Sequence, residues 1–444
     1  LSSCAEAVDG DQPPGADVTW HQDVAPLVAQ HCASCHSEGN IGSFLQFSDY
    51  NTAKNLASFL ASKVESREMP PFLAGESDDC QPKHQWKNDP RLSEAEIQLF
   101  VDWAQNGAAE GDASNPAPLP SPPEKHMDEP YQTLTPASSF TTPSTAGIED
   151  ELICFVLDPE LTTTEWIKAI EVVPGNSKVV HHMVLFLDNQ GQSDSLKNDD
   201  GWYECFGGSG TGSTEIIAAW APGTPVIEFP EDAGLAVAPE SRLIMQLHYH
   251  PIDTAETDQT SLRVKWSDTE PAEETVVVLR GNSNSEYDDG LGLQAGDNDD
   301  GEIEFRIPAN NASHKEVMRY EVEGSSNNRY QIFMVGNHMH YFGTDMRIYI
   351  ERKTLDSGQD PEECLLQTPK WDYNWQIMYF FDAESNDAPI IRGGDILRLE
   401  CIYNNTMDNP NAVKALTEQD LSAPVDVMLG DGTLDEMCIA PIGL

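Results

Sequence analysis

The spacing of apolar positions changes character near residue 130. Before that point, DVAPLVAQH (23–31) and LSEAEIQLFVDWAQNGA (92–108) repeat apolar residues every three or four positions, the period of an amphipathic helix. Ser93 followed by Glu96 is a capping-box signature, and Gly107 supplies a stop. A run rich in proline, SNPAPLPSPPEK (114–125), then favours a stiff polyproline spacer over a fold. Beyond it the grammar is short and alternating: ELICFVL, KAIEVVP, VVHHMVLFL, SRLIMQLHYH, RYQIFMVGNHMHYF, DMRIYIE and DILRLECIY, punctuated by Gly, Asn, Asp and Pro. Many short strands without a convincing helix predict antiparallel sandwiches, and the stretch is long enough for two.

Composition narrows the partners. The 444 residues include 25 basic and 75 acidic side chains, a net charge of −50. Such a field repels nucleic acid and anionic membrane surfaces. No apolar run approaches the length of a membrane-spanning helix. The opening LSSC resembles the end of a bacterial lipoprotein signal, which implies lipidation of Cys4, a tether over residues 1–16 and membrane attachment through that lipid only. Export to the periplasm or cell surface of a bacterium is the matching expectation, since paired cysteines need an oxidising compartment. The acidic run 282–302 reads as a solvated loop, with calcium binding left open.

Two kinds of metal chemistry stand out. Cys32-Ala-Ser-Cys35-His36 is the attachment pattern of a c-type haem, in which two thiols bond the porphyrin and the next histidine ligates iron. No second CxxC completes a zinc site, and a redox CxxC expects a βαβ context. Met69 in REMPPF is the expected second axial ligand, with His84 its competitor. The arrangement VAPLVAQHCASCH, REMPPF and LSEAEIQLFVDWAQNGAAEGD resembles small monohaem cytochrome domains of environmental bacteria, which implies Met69.

The other chemistry is histidine on strands. Three pairs, His181-His182, His248-x-His250 and His338-x-His340, use half of the twelve histidines. An x-spaced pair on a strand puts both rings on one face, where they can share an ion. Imidazole with a thioether suits copper, and zinc is the runner-up.

HHM (181–183), QLHYH (246–250), HMH (338–340) and DEMC (435–438) occur in the order found in type II copper, ascorbate-dependent monooxygenases, the peptidylglycine and dopamine hydroxylating group, and this part of the chain resembles that family. The resemblance implies two jelly-roll sandwiches with one copper each. His181, His182 and His248 would hold an electron-storing copper, and His338, His340 and Met437 an oxygen-activating, catalytic one. Met346 and Met407 are rivals to Met437. His250 could substitute near His248, and Gln246 could orient ligands or water. Both rings of the 181–182 pair reach one ion only if their strand is locally distorted. Peptide-cleaving members carry an Arg where this chain has Gly336, and Asn and Tyr where Ile439 and Pro441 stand, so a peptide substrate is not implied.

The fold expected is therefore multidomain: an all-α cytochrome c domain followed by two all-β antiparallel jelly-roll sandwiches. The boundaries expected are a tether at 1–16, the cytochrome c domain at 17–112, a linker at 113–134, and sandwiches at 135–275 and 276–444. The activity implied is hydroxylation of a C–H bond of a small organic substrate with O2. Two copper ions and one covalently bound haem c would take part, with ascorbate or a redox protein as external electron donor. The alternative is an electron-transfer or copper-storage lipoprotein. Of nine cysteines, Cys4, Cys32 and Cys35 are assigned. The resemblance implies Cys154–Cys205 and Cys401–Cys438, which leaves Cys80 and Cys364 as an expected staple between domains.

Overall fold

The structure is a computed structural model that describes residues 18–37, 42–120, 127–144, 151–205 and, with short interruptions, 208–282, 291–382 and 388–444. Cys4 and its tether, His250 and much of the acidic run 282–302 lie outside the described residues. The chain divides into two compact units, Leu1–Phe72 with Pro90–Glu124, and Leu73–Asp89 with Lys125–Leu444.

The expectation of an all-α cytochrome c domain followed by two jelly-roll sandwiches is corrected here. The chain is mostly β, with five α-helices among the described residues and many small sheets, and no all-α cytochrome c domain is evident. The physical reason lies in the short helical runs of the first unit. Its helices, Ala25–His31, Tyr50–Asn55, Ala57–Glu65 and Glu94–Gln105, span 6 to 12 residues. Residues 68–92, with prolines at 70, 71, 82 and 90, form no helix at all, because proline removes a backbone donor and clashes with a continuing turn. None of the described helices is long and apolar enough to cross a membrane.

Local signals in this unit nevertheless hold. Ser93 Oγ accepts from the Glu96 amide at 3.3 Å, and Glu96 Oε2 accepts from the Ser93 amide at 2.7 Å, so the capping box closes in both directions. Gly107 ends the helix at φ +88°, a conformation that suits glycine. Trp20, Val28, Leu60, Phe100 and Trp103 form the small core.

In the larger unit, a six-stranded sheet contains Glu165–Val173, Ala233–Val237 and Ser261–Trp266. A five-stranded sheet runs in the order Trp202–Glu204, Glu151–Leu157, Arg242–Tyr249, Val180–Asp188, Thr214–Trp220. Their alternating apolar faces meet in one core that includes Phe155, Ile170, Met183, Met245 and Val264. Residues 277–443 add a four-stranded sheet, Val277–Gly281, Ile439–Gly443, Met334–Gly336, Met378–Phe380. They also add a five-stranded sheet in which Ile396–Tyr403 lies between His314–Glu321 and Gly343–Glu351. Phe333 and Met334 join the core of the preceding sheets, with Phe229 and Phe333 edge-on at 5.7 Å.

Three disulfides join Cys154 to Cys205, Cys401 to Cys438 and Cys80 to Cys364. The last closes within the larger unit, because residues 73–89 belong to it. That segment is held along its length. The Gly75 amide donates to Gln367 O at 2.8 Å, His84 Nε2 lies 3.1 Å from Glu363 Oε1, and Trp86 stacks on Phe381 at 4.8 Å.

Candidate metal centres

His181 and His182 sit at the start of Val180–Asp188, which pairs with Arg242–Tyr249. His248 faces His182, but the next pair is Tyr249 with Val180, so the ladder slips at His181. A bulge of this kind turns two consecutive side chains toward one side, which answers how adjacent histidines can converge. The rings of 181, 182 and 248 lie 4.5–5.3 Å apart centroid to centroid. Their ligand nitrogens all fall within 4.8 Å of one another. Nδ1 of His182 is 3.1 Å from Nδ1 of His181 and 3.2 Å from that of His248.

Burial, then the neighbouring His248, His181 and His338, holds His182 well below the ordinary histidine range. A neutral imidazole keeps a lone pair for a metal. Met183 points the other way, fully buried in the core.

A buried carboxylate braces this cluster from outside. Asp258 accepts from the Asn176 amide at 2.7 Å, the Tyr249 hydroxyl at 2.8 Å and the Thr260 amide at 3.0 Å. Asn176 in turn accepts the amides of Val179 and Val180 through its carbonyl. The turn before His181 is thereby tied to the residue after His248. Gln246 donates to the carbonyls of Cys205 and Gly208 at 3.3 and 3.1 Å, so its amide fixes the disulfide loop.

His338 and His340 lie just beyond the strand Met334–Gly336, not within it. His338 forms an isolated bridge with Ile439, its amide donating to Ile439 O at 2.8 Å and its carbonyl accepting from the Ile439 amide at 3.0 Å. The two rings stand 5.1 Å apart and nearly perpendicular. Nδ1 of His340 is 3.0 Å from Asp435 O, and Nδ1 of His338 is 2.7 Å from Gln376 Oε1. Both acceptors call for a proton on Nδ1, which puts the lone pair of each neutral ring on Nε2, the nitrogen that can ligate an ion. Burial also lowers the His340 pKa. The sequence reading missed Gln376, which no motif marks.

Met437 is buried and fixed on every side. Its amide donates to Glu436 Oε2 at 3.0 Å and its carbonyl accepts from the Tyr403 hydroxyl at 2.8 Å. Cys438, next in the chain, is bonded to Cys401, and Ile439 bridges to His338. Its rivals are placed otherwise: Met346 is fully buried on a strand, and Met407 is 48% exposed. Burial raises the pKa of the Glu436 carboxyl, while the four backbone amides it accepts favour its ionised form. The donor sets, three imidazoles in one and two imidazoles with an adjacent thioether residue in the other, fit a borderline or soft metal ion.

The CxxCH pattern lies in the smaller unit. Cys32 ends the helix Ala25–His31, and the amides of Cys35 and His36 donate back to its carbonyl. His36 Nδ1 is 3.0 Å from Leu45 O and 3.2 Å from Gly42 O, which leaves Nε2 available. A Cβ at Gly42 would fall 2.7 Å from that ring, so a glycine is required there. Both thiols are free. Burial, then the Cys35 charge, pushes Cys32 up to about 12, unlike the lowered thiol of a redox CxxC. Met69 lines a small cavity with Val64, Pro70, Leu92 and Ile97.

Residues 139–256 match the family described as copper type II ascorbate-dependent monooxygenase, N-terminal domain. The matched stretch is a little over a quarter of the chain and contains the first histidine cluster whole. The family is copper-dependent, which supports copper over zinc and supports a monooxygenase-like oxidoreductase. No curated protein matches this chain. Among solved structures, one described as the structure of allantoicase is similar at 10% identity, covering 60% of this chain and 80% of that one, with a TM-score of 0.15. One of infectious bursal disease virus Gx strain is similar at 8%, covering 73% and 72%, with a TM-score of 0.18. Likeness at that level carries no argument.

Proposed function

We propose that this chain is a copper monooxygenase that hydroxylates a C–H bond of a small organic substrate. The reaction consumes O2, two electrons and two protons and yields the alcohol and water. The observation that carries the reading is the convergence of His181, His182 and His248 inside the stretch that matches the copper family. Copper supplies one-electron redox chemistry and O2 activation when bound.

His181, His182 and His248 would hold the electron-storing ion, with burial keeping the His182 imidazole neutral. His338 and His340 would hold the second, their Nδ1 atoms being committed to Gln376 and Asp435. The Met437 thioether would complete that set and favour the reduced ion. A side chain at Gly336 would collide with Met378 and Pro441, and Ile439 and Pro441 carry no charge. These positions give a substrate carboxylate no partner, so the substrate is not a peptide gripped by its C-terminus.

An external reductant delivers electrons singly. A haem bonded to Cys32 and Cys35 and held by His36 and Met69 would supply the electron relay. The pinned Nδ1 of His36 supports this. The three disulfides support an oxidising compartment.

The test is metal content followed by isotope transfer. Two coppers and one haem per chain are expected, as is oxygen-18 from labelled O2 in an organic product. Reoxidation by O2 without labelled product would make the protein a relay or a copper store. Zinc in both sites would end the redox reading.

A further inference from the structure

Glu436 is fully buried, and the hydrogen bonds to its carboxylate come from backbone. Oε2 accepts the amides of His340 at 2.7 Å and Met437 at 3.0 Å. Oε1 accepts those of Phe342 at 2.7 Å and Gly343 at 3.2 Å. Burying a carboxylate is costly unless its lone pairs are well satisfied, and four convergent donors do that here. The acid itself cannot drift. The Glu436 amide donates to Met428 O at 2.9 Å, and its carbonyl accepts from the Gly430 amide at 3.2 Å.

We propose that Glu436 is the positioning residue of the His338, His340 and Met437 site. A single carboxylate clamps the segment that carries the histidines to the residue that carries the thioether. This rests on the proposed reading that these three side chains hold one copper. His340 lies in a segment without regular ladder hydrogen bonds, and Met437 precedes the final strand. The register of Met334–Gly336 with Ile439–Gly443 continues through the His338–Ile439 bridge and brings His340 opposite Met437, but there the amides of both residues turn to Glu436 instead of to each other. One oxygen shared by the amides of both ligand residues fixes the two Cα positions relative to each other, and the side chains follow from there. The second oxygen extends the hold to the turn that leads into Gly343–Glu351. The requirement is for two acceptors and no donor, which only a carboxylate meets. In a glutamine, whichever way the amide turned, its NH2 would face two backbone N–H groups.

The test compares E436Q with E171Q, which removes a different buried carboxylate charge of the same unit, the Arg263 partner. In E436Q, copper affinity at the second site should fall about 10–100-fold, the usual cost of losing a partner behind a ligand. The sulfur contribution in X-ray absorption of the reduced protein should vanish while the first copper stays. E171Q should keep the sulfur signal even if it melts earlier. An unchanged sulfur signal and affinity in E436Q overturns the proposal, and so does equal loss in E171Q. Should E436Q not fold, amide exchange on the metal-free wild type decides. The amides of His340, Phe342, Gly343 and Met437 should be protected together, and exchange at open-loop rates overturns the clamp. Wild-type protein that binds copper without a sulfur contribution would instead refute Met437 as a ligand, and the positioning role with it. The exchange pattern would then still report the clamp.

Discussion

The two histidine clusters reach the same end by different backbone means. The first is built on a regular ladder: His182 and His248 face each other across neighbouring strands, and one bulge brings His181 round. The second lies past the strands, where only a single bridge, a buried carboxylate and a disulfide hold its backbone. A ladder places side chains by register, so the first cluster needs little beyond Asp258 to brace its ends. Off the ladder, each ligand residue must be pinned individually, and the second cluster spends Glu436, Tyr403, Gln376 and Cys438 on that task. The expectation is a rigid first site and a second site that is sensitive to distant changes.

The sharpest contrast should come from the ligands. H338A should lose one copper of two and lower product-coupled O2 consumption by more than about 100-fold, since even a partner behind a ligand costs about 10–100-fold. H182A should lose the other copper, with metal analysis separating the two. Product formation by H338A at the wild-type rate would remove the second cluster from the chemistry.

Disulfides give the next contrast. Removing Cys401–Cys438 as a double alanine variant should cost ~2–4 kcal/mol and also weaken copper at the second site. Removing Cys154–Cys205 should cost a similar amount by denaturant titration yet leave first-site affinity close to wild type, because the ladder still sets the register. Equal losses of copper would break the distinction.

Acid offers a smaller lever on the second half. Burial opposes ionisation of Glu363, but hydrogen bonds from His84 and Arg352 and the Arg352 charge outweigh it and hold the carboxyl at about 2. A depressed folded pKa contributes stability above the unfolded value near 4.5, and that contribution is lost as pH falls from there toward 2. The amount is at most about 3 kcal/mol. E363Q should flatten the acid limb of a stability–pH curve over that window, and an unaltered limb would contradict the pairing.

The smallest effect expected is that of M407L. The residue is exposed, so stability should stay within about 0.5 kcal/mol and the copper–sulfur signal should persist.

Much of the candidate chemistry was legible because metal ligands are rare residue types at fixed spacings. HHM and HMH stand out among twelve histidines, whereas DEMC was marked only by the resemblance to the copper family. The carboxylates that brace them do not, since Asp258 and Glu436 are two of 75 acidic residues and only burial distinguishes them. The x-spacing of His338 and His340 implied a strand, but the pair sits beyond one, because the same two-residue spacing also occurs in extended chain without a ladder. The expectation of an all-α cytochrome c domain was overturned for a related reason. Periodicity is a local signal, and it cannot show that residues 73–89 leave the helical unit for the larger one.

Sequence by itself determined the alternation of the strands, the capping box at Ser93, the histidine pairs and the two cysteines reserved at 32 and 35. These depend on neighbours a few residues apart, where side-chain chemistry and backbone period act directly. Tertiary structure alone decided the slip at His181, the placing of the Cys80–Cys364 bond within the larger unit, and the four amides gathered on Glu436. Each of these depends on where distant segments are brought together by burying their apolar faces. That is a property of the whole core, which no local spacing encodes.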